Sequence, residues 1–181
     1  KKQMMVNFQV PGRGEVSANN QEIFDTLKKG LGMVPNLYAV MALSETALGN
    51  YLAFQNAKTS FSNKEKQAVN LVVSQVNECH YCQSAHTLLG NMNGLTEEQT
   101  IEIRKGNASF DAKLNALVVL AKEKKEKKGF ASAETMDAFI NAGYTKAQAI
   151  ELVFLVAEKT AMNYVHAITK VEIDFPLAKV I

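Results

Sequence analysis

The sequence predicts an all-α fold, and three observations carry that expectation. Three S/T-x-x-E/Q boxes, Ser62-x-x-Glu65, Thr96-x-x-Gln99 and Thr145-x-x-Gln148, each precede a stretch of apolar periodicity, which is the sequence mark of a helix start. Helix breakers are scarce: the 181 residues hold three prolines, Pro11, Pro35 and Pro176, and Ala, Leu, Lys, Glu and Gln are abundant. No segment shows the apolar/polar alternation of a half-buried strand. About seven or eight short-to-medium helices are expected.

Taken in order, residues 1–19 read as an irregular, partly extended arm that turns at Pro11-Gly12-Arg13-Gly14. Asn20 is placed to cap a short helix through Ile23, Phe24 and Leu27, with Gly30 as its stop. Pro35 biases Val34 away from helix, and Asn36 is a new cap. A helix of roughly five turns from Leu37 toward Asn56 is expected next, with Tyr38, Met41, Leu48 and Leu52 on its core face. The Ser62/Glu65 box opens a helix in which Val69, Val72, Val73 and Val76 keep i, i+3, i+4, i+7 spacing. Asn77-Glu78 breaks that pattern, so a second helix is expected to start at the cysteines. Asn93-Gly94 turns the chain, and the Thr96/Gln99 box opens a short helix closed by Gly106. A helix from about Asp111 carries Leu114, Leu117, Val118 and Ala121. It ends in the charged Lys122–Lys128 run, read as a solvated helix end before Gly129. Ser132 caps a helix to Ala142-Gly143, and the Thr145/Gln148 box opens a long one to about Lys170. The tail through Phe175-Pro176 is expected to be extended. The Ser62 and Thr145 boxes stand in the same relation as His80-Tyr81 and Asn163-Tyr164, an echo compatible with two degenerate helical halves.

Bulk properties narrow the function. A formal charge of +2 carries no nucleic-acid footprint. No apolar run approaches the roughly 18 residues of a membrane span, so no membrane partner is expected. Lys1-Lys2-Gln3-Met4-Met5-Val6 lacks an apolar core and a small-residue cleavage site, so no intact signal peptide is expected there.

Chemistry concentrates in one place. Both cysteines and two of the three histidines fall within Cys79-His80-Tyr81-Cys82-Gln83-Ser84-Ala85-His86. C-x-x-C lets two sulfurs meet across one helical turn, and His86 follows one turn beyond Cys82 on the same face. A disulfide closing so small a loop is a poor staple, and in a cytoplasmic setting the pattern reads as redox-active or metal-binding. A free thiol has a pKa of about 8.5, and a helix N-terminus or a nearby imidazolium lowers it. Peroxide converts a thiolate to a sulfenic acid, which the neighbouring thiol turns into a disulfide. An external dithiol must then reduce it. Two other readings stand beside this one. The cysteines could be small buried hydrophobes. Alternatively Cys79, Cys82 and His86 could supply three ligands to zinc in a non-enzymatic helical scaffold. His80 reads as facing solvent or a partner, His166 as structural, and Tyr81 as packed.

The segment Phe61–Gly90, FSNKEKQAVNLVVSQVNECHYCQSAHTLLG, resembles the AhpD-like alkylhydroperoxidases of the carboxymuconolactone decarboxylase superfamily. Weaker likeness to the peroxidase-related branch extends through Leu31–Tyr38, Ala142–Thr145 and Asn163-Tyr164. The resemblance implies a single AhpD-like multi-helix domain over 20–181 with its core motif at 61–90. It implies thiol-dependent reduction of hydrogen peroxide or organic hydroperoxides, with no cofactor. Homo-oligomers and an external dithiol, thioredoxin-like or lipoyl, are the implied partners. Cys82 would be the peroxidatic thiol, Cys79 the resolving thiol and His86 part of a proton relay. Two positions depart from the family pattern. Gln67 stands where a relay glutamate is usual, and an amide accepts no proton at neutral pH. Glu78 stands where Gly is frequent, and an adjacent carboxylate tends to raise a thiol's pKa. Glu65 and Glu78 are the carboxylates that could replace the relay base. A disulfide reductase or redox-sensing module is the alternative role for the same thiols.

Overall fold

Local capping chemistry sets where nearly every helix of this chain begins. The computed structural model describes residues 6–181; the signal-peptide expectation and the first residues of the arm lie partly outside that range. Among the described residues there are nine α-helices and no strand: α1 Ala18–Leu31, α2 Asn36–Met41, α3 Ala47–Gln55, α4 Asn63–Val76, α5 His80–Met92, α6 Glu97–Lys105, α7 Ala112–Glu126, α8 Ala133–Asn141 and α9 Lys146–Thr169. The all-α expectation holds. All three capping boxes are formed, by Ser62 with Glu65, Thr96 with Gln99, and Thr145 with Gln148. No helix among the described residues is long and apolar enough to cross a membrane.

By packing, the chain divides into two compact units, one of residues up to Ala57 with Tyr164–Asp174, the other of Lys58–Asn163 with Phe175–Ile181. In the first unit, two expectations need correction. The cap of α1 is Ser17, whose hydroxyl accepts from the Asn20 N–H, and α1 ends at Gly32 in the left-handed region rather than at Gly30. The expected five-turn helix is broken into α2 and α3. Asn20 is buried and its amide donates to the carbonyls of Ala42 (3.2 Å) and Ser44 (3.0 Å), which therefore need no helical partner. The Ser44 hydroxyl accepts from the N–H of Ala47 at 3.1 Å and starts the next helix. Pro35 precedes α2 without a side-chain cap, and Asp174 accepts from the Asn36 N–H at 2.7 Å instead.

The second unit holds the main apolar cluster. Val69, Val72 and Val73 of α4 are buried with Leu117 and Leu120 of α7 and Phe139 of α8. Phe139 stacks on Tyr144 with ring centroids 4.5 Å apart. The Lys122–Lys128 run is not wholly solvated, because Lys124 is buried and Glu123 bonds Lys127 and Ser132. The two capped segments of the sequence echo also differ. The first breaks between α4 and α5, whereas α9 runs uninterrupted.

That break has a defined geometry. The Glu78 N–H bonds the Gln75 carbonyl at 3.1 Å and the Cys79 N–H bonds the Ser74 carbonyl at 2.9 Å, a Schellman closure of α4. Glu78 occupies the left-handed position of that closure, with φ 55°. A side chain there costs roughly 1–2 kcal/mol, whereas glycine gives back roughly 0.5–1 kcal/mol in unfolded-state entropy. Glu78→Gly is therefore expected to stabilise the protein by about 0.5–1 kcal/mol, read as a higher urea midpoint at unchanged slope. A lower midpoint would mean that the Glu78 side chain makes a stabilising contact outweighing the backbone strain.

Candidate active site

Because α4 closes at Glu78, Cys79 becomes the N-cap of α5. Its sulfur accepts from the Cys82 backbone N–H at 3.3 Å. Both cysteines are free thiols and both are buried, with 3% and 2% of their surface exposed. The helix N-terminus favours negative charge on the Cys79 sulfur. Cys82 feels opposing influences. Burial pushes its thiol well above the usual range, and hydrogen bonding and charge at Cys79 add to that. The Lys159 charge and a hydrogen bond from Asn163 pull it back down.

His86 lies one turn beyond Cys82 and is buried. Its Nδ1 is 2.8 Å from the Gln67 amide oxygen. An amide oxygen only accepts, so Nδ1 carries the ring proton and Nε2 is left with its lone pair. Burial holds the His86 pKa well below its ordinary value, and the Lys159 charge acts in the same direction. The ring is thus a neutral, oriented base. Gln67 orients the imidazole, but it supplies no charge.

The remaining expected residues take other places. Glu65 does not reach the relay: one of its oxygens accepts from the Ser62 N–H at 2.8 Å, the other from the Tyr144 hydroxyl at 2.7 Å. Glu78 is exposed at the turn and is not among the groups that shift Cys82. Tyr81 is buried edge-on to Phe175, with centroids 5.6 Å apart. His80 is bound to the chain's own tail, its Nε2 3.0 Å from the Ala178 carbonyl. Ser84 accepts from the Ala178 N–H at 3.0 Å, and Arg104 donates to the Lys179 carbonyl at 2.8 Å. His166 belongs to the first unit, where it meets the Val171 carbonyl. Among the described residues no three His, Cys, Asp or Glu side chains gather as metal ligands, so Cys79, Cys82 and His86 do not form the zinc site weighed from sequence.

Three residues that the sequence reading did not place in the site belong to it. Asn163 donates to the Ser74 hydroxyl at 3.2 Å, accepts from the Asn77 amide at 2.8 Å, and bonds Cys82. Lys159 and Glu158 are buried on α9, 3.6 Å apart. The periodicity of α9 held the signal. Leu152, Val156, Lys159 and Asn163 recur at i, i+4, i+7, i+11, and the apolar members of that face are core residues.

A neutral buried histidine makes stability depend on pH. Its folded pKa is lowered, so the unfolded chain binds the proton first as pH falls below about 6.5. The contribution is fully retained above that value and lost toward acid, at up to about 1.4 kcal/mol per pH unit. Urea unfolding between about pH 7 and 5 is expected to show this slope for the native protein and a flatter one for His86→Gln. Parallel curves would place the titrating group elsewhere.

Residues 44–123 match the model of the carboxymuconolactone decarboxylase family. No curated protein sequence matches the chain. Solved structures share its fold at low identity. An uncharacterized peroxidase-related protein from Silicibacter sp. TM1040 has 18% identity and a TM-score of 0.80, covering 95% of this chain and 92% of that one. A peroxidase-related protein from Ralstonia eutropha JMP134, described as an alkylhydroperoxidase AhpD core, has 14% identity and a TM-score of 0.84, covering 94% and 93%. A cysteine-to-alanine variant of the debrominase Bmp8, in complex with 2,3,4-tribromopyrrole, has 16% identity and a TM-score of 0.78, covering 94% and 93%. The family match takes in α4, α5 and both thiols, and the helical fold of the AhpD-like peroxidase-related structures is shared over nearly the whole chain.

Proposed function

We propose that this chain is a thiol peroxidase that reduces hydrogen peroxide or organic hydroperoxides through a dithiol/disulfide cycle at Cys82 and Cys79. The observation that carries the reading is the pair of reduced, buried thiols on one helical turn, beside an imidazole kept neutral and oriented by Gln67. Cys82 gives its proton to His86 Nε2, and its thiolate attacks the distal peroxide oxygen. The O–O bond breaks, the leaving alkoxide takes a proton, and Cys82 becomes a sulfenic acid. Cys79 then attacks that sulfur and water leaves. In total, one hydroperoxide and two thiols give one alcohol, one water and one disulfide. An external dithiol returns the pair to its reduced state.

Burial supports a small oxidant. Thiol–disulfide exchange with a folded protein needs a sulfur that the partner can approach in line, and both sulfurs here are almost wholly covered. This disfavours the protein disulfide reductase reading. One observation favours a second small-molecule reading: the fold is shared with a debrominase bound to a tribrominated pyrrole. Reductive dehalogenation uses the same thiols. An aryl bromide and two thiols give the arene, bromide, a proton and the disulfide.

Peroxide consumption with dithiothreitol distinguishes these. Cys82→Ser is expected to lose at least about a hundredfold in rate, and Cys79→Ser to complete one reduction without cycling. Equal rates for the native protein and Cys82→Ser would reject the mechanism. Bromide release from 2,3,4-tribromopyrrole that outruns peroxide reduction would move the assignment to dehalogenation.

We also propose that two copies associate through α9. Within the second unit this helix exposes Ala147, Ile150, Phe154, Ala157 and Ala161 at alternating three- and four-residue spacing, with Phe154 58% exposed. That spacing forms one seam along a helix, and a seam of this kind is its own complement about a two-fold axis. Ala157 and Ala161 allow the two backbones to approach closely. Phe154→Glu is expected to shift the light-scattering mass to that of a monomer; an unchanged mass would reject this interface.

A further inference from the structure

The dithiol cycle uses no charged side chain, yet α9 buries two. Lys159 is 1% exposed and Glu158 is 4% exposed, with Nζ and Oε1 3.6 Å apart. Taking an ammonium and a carboxylate out of water costs several kcal/mol per ion, and replacing such a pair by apolar residues is often neutral or stabilising. A chain that keeps such a pair in its core gains something else from it.

The position of Lys159 shows what that is. It precedes Asn163 by one helical turn and so shares its face of α9. Asn163 is pinned between Ser74 and Asn77 and bonds Cys82. Lys159 is thus buried one turn from the residue that Ser74 and Asn77 hold beside the cysteine turn, and its charge acts on both Cys82 and His86. The groups that act on Cys82 are Cys79 from α5 and Lys159 and Asn163 from α9; Lys159 is paired with Glu158, and His86 follows Cys82 by one turn of α5. From α4 come the neutral Gln67, Ser74 and Asn77, Glu65 being turned to Ser62 and Tyr144. The family position that would hold a carboxylate is an amide, so no anion at Gln67 competes with a thiolate for that cation.

We propose that Lys159, buried on α9 and balanced by Glu158, is the residue whose charge stabilises the Cys82 thiolate, in place of a carboxylate relay through Gln67. The inference rests on Cys82 being the reacting thiol. Lys159 acts at the sulfur before any oxidant arrives, so its effect is separable from peroxide turnover.

The test reads the thiolate directly. Ultraviolet thiolate absorbance of Cys79→Ser, less that of the protein lacking both cysteines, gives the ionisation midpoint of Cys82 as pH is raised. Lys159→Met in that background is expected to move the midpoint up by at least about one unit, a tenfold loss of thiolate below it. Lys159→Arg is expected to restore the midpoint to within about half a unit, which a purely packing role would not produce. Glu158→Gln keeps the ammonium and removes its counter-charge, and is expected to move the midpoint down. It carries the test if Lys159→Met does not fold. An unmoved midpoint in Lys159→Met, or an upward shift in Glu158→Gln, would overturn the proposal. A native protein that consumes no peroxide yet shows these shifts would reject the peroxidase reading and leave the role of Lys159 standing.

Discussion

Cys79 ends one helix and begins the next, and the site is built on that double duty. Its N–H closes α4 on the Ser74 carbonyl, while its sulfur caps α5 through the Cys82 N–H. Ser74 is held from three sides: its carbonyl accepts from Cys79 and from the Gln83 amide, and its hydroxyl accepts from Asn163. The backbone turn therefore fixes the sulfurs relative to α4, α5 and α9 together. A continuous helix through residues 77–79 would swing Cys79 off the N-terminus of α5 and remove the Cys82 N–H as a donor to its sulfur. The left-handed strain at Glu78 is the cost of that turn.

The charge balance around the thiols follows from what replaces the usual carboxylate. With a glutamate at residue 67, an imidazolium at His86 would have a counter-ion. Gln67 supplies none, and Lys159 repels it. The same lysine attracts a thiolate at Cys82. Moving the proton from Cys82 to His86 thus gains at one end and loses at the other. In the proposed cycle His86 would pass a proton on to a leaving oxygen and not hold it. In the proposed cycle, a general base that does not rest in its charged form would hand its proton on as soon as an acceptor is present, while Lys159 supports the thiolate it leaves behind.

Helix starts and the thiol cluster were readable because their causes are local. A capping box is closed within four residues, and C-x-x-C-x-x-x-H lies within eight. The break between α2 and α3 was not readable, because its cause is Asn20, more than twenty residues earlier, taking the carbonyls of Ala42 and Ser44. The shift of the α1 cap from Asn20 to Ser17 has the same origin: Asn20 is spent on that contact. Lys159 was missed for a different reason. A lysine in a capped amphipathic helix ordinarily reads as solvated, and only its registration with Leu152, Val156 and Asn163 marks it as inward. Glu65 and Glu78 were candidates because proximity in sequence was the only measure available, and both are engaged in backbone capping and turns instead.

The C-terminal residues bear on which reductant suits such a site. His80 and Ser84 hold Ala178, Arg104 holds Lys179, and Phe175 meets the Tyr81 ring. Four residues around the cysteines thus bind the chain's own tail, and that side of α5 is closed to a docking protein surface. A disulfide under such cover is reached by a dithiol narrow enough to enter alone, or by one carried on a long flexible arm. For the proposed cycle, a lipoyl group would meet that requirement better than the active-site surface of a folded thioredoxin-like domain, which must bring its own backbone within bonding distance of the sulfur it attacks. The same steric argument applies to oxidant and reductant alike, so the dithiol cycle proposed for Cys82 and Cys79 would pair a small oxidant with a narrow dithiol.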